Sequence, residues 1–252
     1  MEGYVRFSID KGLATLRFHH PSHNALPGYI LSQLAEQIES LGQRDDVGLI
    51  ALRSEGEKTF CAGASFDELL AIRDADGGKQ FFSGFARVIL AMKNCPKLIV
   101  ALVHARAIGG GVGLAAAADY VIATRDASIR LSELAIGIGP FVIGPVVEYR
   151  IGRPAFQKLS LTPDEWQTAS WAGQHGLFHE VFESKAQAEA YFAEFTGKLL
   201  SFNPQALTEL KEIFWQGCDH WEQLLYDRAA ISGKLILTDF SRRTLAALKA
   251  KT

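Results

Sequence analysis

Two runs of small residues carry the chemistry open to this chain. The first, Phe60-Cys61-Ala62-Gly63-Ala64-Ser65-Phe66-Asp67, follows an apolar run and a charged loop with Glu55, Glu57 and Lys58. Small side chains let a ligand approach the main chain, so that N–H and C=O groups become the binding surface. A tight turn into a helix would use the same residues. The second run, Ala107-Ile108-Gly109-Gly110-Gly111-Val112-Gly113-Leu114, leads into four alanines, Ala115 to Ala118. Glycines opening an alanine-rich helix leave free N–H groups at its N-terminus, where the peptide dipoles favour negative charge. Such an end could hold an anion, or an oxygen on which negative charge develops; close helix packing is the plain alternative. The run lacks GxGxxG spacing in a first βαβ unit, and no Lys-Ser/Thr follows, so neither a dinucleotide fold nor a phosphate-binding loop is well matched.

Proton carriers are fewer. Glu133, in Leu131-Ser132-Glu133-Leu134-Ala135-Ile136-Gly137, reads either as an acid/base or as a partner for a helix dipole. Glu148 lies beside Tyr149 and Arg150 and reads as solvated or ion-paired. Cys61, Cys95 and Cys218 are odd in number and widely spaced, which argues against a disulfide framework and a structural zinc site. Cys61 has no base nearby and no GxSxG elbow exists, so nucleophilic catalysis is unsupported. His19, His20 and His23 have no carboxylate at ligand spacing and read as polar loop residues, so no metal is expected. His175 and His179 are four apart, but Gly176 and the strand-like Leu177–Phe182 stretch break a shared helical face.

The elements that must hold these residues follow from periodicity. Val5, Phe7 and Ile9, a turn at Asp10-Lys11-Gly12, then Ala14, Leu16 and Phe18 predict a β-hairpin. Ile30, Leu34, Ile38 and Leu41 predict an amphipathic helix. The apolar runs at 47–53, 98–103 and 120–123 suit strands covered on both faces, with spacers long enough for helices, hence an α/β core. From Ser184 the pattern is helical only: Ser184 with Gln187 predicts a capping box, Asn203-Pro204 a cap and first helical residue, and Asp239 a cap for the last helix. The division expected is a core over 1–183 and a helical, assembly-forming segment over 184–252.

The chain has 252 residues, 26 Lys+Arg against 28 Asp+Glu and 48% hydrophobic residues. No basic surplus is available for gripping nucleic acid or an anionic membrane, and the composition is that of a folded globule. The first ten residues carry no apolar run, so no secretory signal is expected, and a cytoplasmic protein is the default.

The two small-residue runs in this order, followed by Ala118-Asp119-Tyr120-Val121-Ile122-Ala123 and the Glu133 segment, resemble the enoyl-CoA hydratase/isomerase family, the crotonases, over about residues 5 to 180. The resemblance implies a spiral of ββα units with a C-terminal helical segment, and an acyl-CoA thioester as substrate, coenzyme A entering with it and not as a separate cofactor. It implies that the Ala64 and Gly110 N–H groups hold the thioester oxygen, that Glu133 is the catalytic acid/base, and that Ala62, Lys249 and Lys251 meet coenzyme A. Asp67 stands where relatives often carry a cation, so phosphate contacts must come from elsewhere. Phe81, Phe85, His104 and Phe141 are expected to shape the acyl pocket, the first two from a helical stretch after a loop at 74–78. Arg73 and Arg87 are the arginines near that stretch, and a carboxylated acyl group stays open.

Two-glutamate hydratases carry a first glutamate where this chain has Gly113. The segment Gly139 to Pro145 looks closer to methylglutaconyl-CoA hydratase-like members, which also lack it. The expected reaction is therefore addition or removal of water across the α,β bond of an enoyl-CoA. A single-carboxylate isomerase, a non-catalytic acyl-CoA-binding protein and, more remotely, a nucleotide-binding domain are the alternatives. The family's habit implies a homotrimer or a dimer of trimers.

Overall fold

A computed structural model describes residues 2–250. The strands are β1 (Tyr4–Asp10), β2 (Leu13–His19), β3 (Ala25–Leu26), β4 (Leu49–Ser54), β5 (Thr59–Cys61), β6 (Gly63–Ala64), β7 (Leu98–Val103), β8 (Arg106–Ile108), β9 (Tyr120–Thr124), β10 (Ser128–Arg130), β11 (Gln167–Thr168) and β12 (Glu180–Phe182). The helices are α1 (Gly28–Gly42), α2 (Phe66–Ala71), α3 (Ala75–Asn94), α4 (Gly110–Ala117), α5 (Gly144–Leu161), α6 (Ala169–Gln174), α7 (Lys185–Leu200), α8 (Pro204–Phe214), α9 (Trp221–Leu235) and α10 (Asp239–Lys249). A short 3-10 turn, Glu133–Ile136, follows β10.

The hairpin β1–β2 is the antiparallel edge of a six-stranded sheet ordered β1-β2-β4-β7-β9-β12, parallel from β2 onward. All six residues of β7 are buried, as expected for a strand covered on both faces. Three successive units repeat one pattern: β4, β7 and β9 enter the large sheet, and β5, β8 and β10 then turn into a smaller sheet ordered β11-β10-β8-β5. In that sheet β5, β8 and β10 are parallel neighbours. Their carboxyl ends therefore emerge side by side, where ligands bind in open α/β sheets. Those ends lead to Gly63–Ala64, to Gly109–Gly110 and to Glu133.

Helix α3 covers this region. Phe85, Val88, Ile89 and Met92 are buried at helical spacing, and Asp74 caps the helix by accepting from Gly77 N–H at 2.7 Å. The stretch 74–78 is therefore a cap and first turn, not a loop. The capping box at Ser184 and Gln187 forms, and Asn203 accepts from Gln205 N–H. The last helix is capped by Thr238, whose side chain accepts from Ser241 N–H, so that Asp239 becomes its first helical residue.

The terminal helices pack directly on the core. Ala188 and Phe192 of α7 cluster with Leu49, Val100 and Ile122 of the large sheet. Helices α3 and α9 meet so closely that a Cβ on Gly78 would lie 2.6 Å from Gly233 Cα. Lys211 of α8 donates to Asp119 Oδ2 at 2.9 Å and to the Lys97 carbonyl at 2.8 Å, while Trp215 Nε1 donates to Asp119 Oδ1 at 2.8 Å. Both charged side chains are 3% exposed. Breaking one side of a buried pair leaves an uncompensated charge, so Lys211→Met should lose about 3 kcal/mol in urea unfolding. Asp119→Asn in the same background should recover part of it; full stability of Lys211→Met would show the pair to be dispensable.

Candidate active site

A cavity of about 530 Å³ opens where the three small-sheet strands end. Its walls include Ala62, Ala64, Gly109, Gly110 and Glu133. The segment carrying Ala64 is fixed from below by Asn24, 2% exposed, whose Nδ2 reaches the carbonyls of Glu55, Thr59 and Phe60 at 2.8, 3.1 and 3.2 Å. Ladder bonds run from Ala62 N–H to Asn24 O and from Ser65 N–H to Leu26 O, on either side of Ala64. Gly63 between them has φ +88°, open to glycine at little cost, and a Cβ there would stand 3.6 Å from Gly110 N. The two N–H segments therefore lie against one another.

Gly109, with φ +52°, turns the chain from β8 into α4, and its N–H donates to the Arg130 carbonyl at 2.9 Å. Gly110 is needed for space: a Cβ there would lie 2.3 Å from Phe85 Cζ. The ring thus packs on the backbone that carries the N–H. A Cβ on Gly109 would meet Glu133 Oε1 at 2.9 Å, so the carboxyl group stands beside the same turn.

Glu133 begins the 3-10 turn, and its Oε2 is out of water with no hydrogen-bond partner. Burial pushes its pKa from 4.5 up to about 7, against a smaller opposing effect of backbone N–H groups at Glu133 and Ser132. A carboxyl group poised near neutrality, with Oε2 unpartnered and the residue lining a cavity, can both take and return a proton. Cys61, by contrast, is fully buried and its thiol is pushed up to about 12, which leaves it inert at neutral pH.

The site thus brings together two glycine- and alanine-rich backbone segments, the buried Glu133 carboxyl group with its raised pKa, and an apolar chamber whose rim also carries Asp164. The family model for enoyl-CoA hydratase/isomerase matches residues 8–236.

The chain belongs to the enoyl-CoA hydratase/isomerase family.

Among its relatives is a Bacillus subtilis (strain 168) protein named "Probable enoyl-CoA hydratase", 31% identical over 140 residues, which are 56% of this chain and about half (54%) of that relative. The peroxisomal Delta(3,5)-Delta(2,4)-dienoyl-CoA isomerase of Arabidopsis thaliana is 27% identical over 234 residues, 84% of this chain and 82% of the relative. The crystal structure of an enoyl-CoA hydratase from Mycobacterium avium shares the fold with a TM-score of 0.87 and 23% identity, covering 98% of this chain and 96% of the other. The architecture is that of the crotonase fold.

Ala62, Ala64, Gly110, Glu133, Phe81, Phe85 and Phe141 all line this same cavity. His104 does not. It sits at the end of β7 among Gly56, Arg53, Lys185 and Glu189, with burial lowering its pKa, and its carbonyl accepts from Thr124 Oγ1. A strand end offers two faces, and this ring takes the one turned from the cavity. Lys249 ends α10 exposed, next to Leu248, which lines the cavity; Lys251 lies outside the described residues. Glu148 pairs with Arg153 at 2.7 Å, and Asp67 is exposed.

Sequence reading missed Asn24, Ile143 and Arg130. Only Asn24 had a local signal, a polar residue between the Pro21 turn and β3. Ile143 matters because a Cβ on Gly113 would lie 2.6 Å from Ile143 Cγ2. The place of a first glutamate is closed by packing.

Proposed function

We propose that the protein adds or removes water across the α,β bond of an enoyl-CoA thioester. The thioester oxygen would lie between the Ala64 and Gly110 N–H groups, where negative charge develops as the enolate forms; one such donor contributes about 3 kcal/mol in the transition state. Glu133, as carboxylate, takes a proton from water as its oxygen bonds to the β-carbon, and returns a proton to the α-carbon. The reverse sequence removes water. Phe81, Phe85 and Phe141 would enclose the acyl chain, and Lys249 would approach the coenzyme phosphates from α10. The observation that carries the reading is the buried Glu133 carboxyl, its Oε2 unpartnered and its pKa raised to about 7, in the cavity that the Ala64 and Gly110 segments bound.

A second reading, double-bond migration, is favoured by Ile143, which stands where a second carboxylate could have held the water. Incubating an enoyl-CoA panel in D₂O and following products by mass and proton NMR separates them. Hydration yields a product heavier by one water with deuterium at the α-carbon; migration exchanges carbon-bound protons without added water. Thioester binding with neither outcome would leave a non-catalytic acyl-CoA-binding protein.

A further inference from the structure

We propose that Arg130 reads a carboxylate on the acyl group, so that the site takes acyl-CoA thioesters whose acyl part carries a second, anionic end. The inference rests on the acyl-CoA reading above and goes beyond it by naming the substrate class.

Among the described residues, Arg130 is the one basic side chain lining the cavity. It ends β10, pairs in register with Ile108, and accepts from Gly109 N–H through its carbonyl. It is therefore rooted one residue from the Gly110 donor and three from Glu133. Its guanidinium lies over the Trp166 ring at 4.5 Å, and Arg106 approaches the same ring at 5.4 Å. Stacking on an indole orients a guanidinium without neutralising it. Among the described residues no ion pair joins Arg130 to a carboxylate, and its Nε is buried with no hydrogen-bond partner. A half-buried cation with an unmade bond is costly to keep unless a ligand completes it.

An arginine fork fits a carboxylate with two parallel hydrogen bonds. The coenzyme phosphates are a poorer match, because they lie the length of the pantetheine arm from the thioester, whereas Arg130 is rooted beside the turn that would hold the thioester oxygen. Nor does Arg130 act through Glu133, whose raised pKa comes from burial with no charged neighbour contributing. The other arginines nearby do not compete: Arg73 donates to the Leu70 and Ile72 carbonyls at the surface, and Arg87 is exposed away from the cavity.

The test is binding of inert saturated thioesters, which needs no turnover and so stands apart from the reaction assigned to Glu133. Dissociation constants for glutaryl-CoA, pentanoyl-CoA and free coenzyme A are measured by calorimetry on the wild type, Arg130→Gln and Arg130→Lys. The wild type should prefer glutaryl-CoA over pentanoyl-CoA by roughly 30-fold or more, Arg130→Gln should erase the preference, and Arg130→Lys should keep part of it. Affinity for pentanoyl-CoA should stay within about threefold, as expected for a contact to the extra carboxylate alone. No preference in the wild type overturns the proposal, as does a preference that survives Arg130→Gln. An equal loss for all three ligands, free coenzyme A included, would place Arg130 at the coenzyme and overturn it too. If Arg130→Gln does not fold, Trp166→Leu, which frees the guanidinium from its stacking partner, should reduce the preference; an unchanged preference there counts against the proposal.

Discussion

Glu133→Gln will abolish most turnover and at the same time make the protein more stable at neutral and alkaline pH. The activity loss should be about 10³-fold in kcat, within the range for removing a positioned acid/base. Coenzyme-thioester affinity should hardly change, because the amide keeps the shape of the carboxyl group. The stability gain follows from the direction of the pKa shift. An acid whose pKa rises from 4.5 to about 7 on folding holds its proton more tightly in the native state. Below 4.5 the native and unfolded chains are both protonated and the group has no effect. Between 4.5 and 7 the unfolded chain ionises first, so stability falls as pH rises; above 7 the penalty is complete, at most about 3 kcal/mol for such a shift. Glutamine removes the ionisation, so its advantage in Tm should be absent at pH 4, grow through pH 5 to 7 and then level off. The same titration should make wild-type kcat/KM rise with pH through about 7, since the group must begin as carboxylate in the free protein. A kcat/KM profile without that acid-side step, or a variant no more stable at pH 8 than the wild type, would contradict the burial of Glu133.

How the sequence relates to this site depends on the range of the contacts involved. The runs around Ala64 and Gly110, both in the cavity wall, are readable because an open approach to the main chain demands small side chains locally, whatever lies elsewhere in the fold. The strands at 98–103 and 120–123 were readable because a strand buried on both faces loses polar alternation, and β7 is buried throughout. Contacts between distant segments left no such mark. Phe85 lies 25 positions before Gly110, yet the ring occupies the space that a Cβ on that glycine would need. Lys211 looked like any lysine on a helix until Asp119, 92 positions away, was placed against it. His104 was misplaced for the same reason, since a strand end does not declare which face its last ring will take. Arg130 was passed over because a single arginine in a short strand has no pattern, and only the cavity and the Trp166 ring give it meaning.

Gly113→Glu, which would restore the missing carboxylate in sequence, should destroy the fold in preference to improving the enzyme. A Cβ at this buried helical position would lie 2.6 Å from Ile143 Cγ2, 2.9 Å from Ile143 Cβ and 3.7 Å from Ile89 Cδ1. Overpacking of this kind costs roughly 1–3 kcal/mol, and a carboxylate without a partner adds several more, so the single variant should lose at least about 4 kcal/mol in urea unfolding. Ile143→Gly removes the two nearest atoms. The double variant should therefore be more stable than Gly113→Glu alone, a coupling that independent sites would not show. It should also place a second carboxylate close to the cavity that Ile143 lines. If hydration is limited by how the water is held, the double variant should raise the ratio of hydrated to isomerised product, while Ile143→Gly alone should not. A Gly113→Glu protein as stable as the wild type would mean that α4 and Ile143 can part at little cost, and that packing does not keep a carboxylate out of position 113.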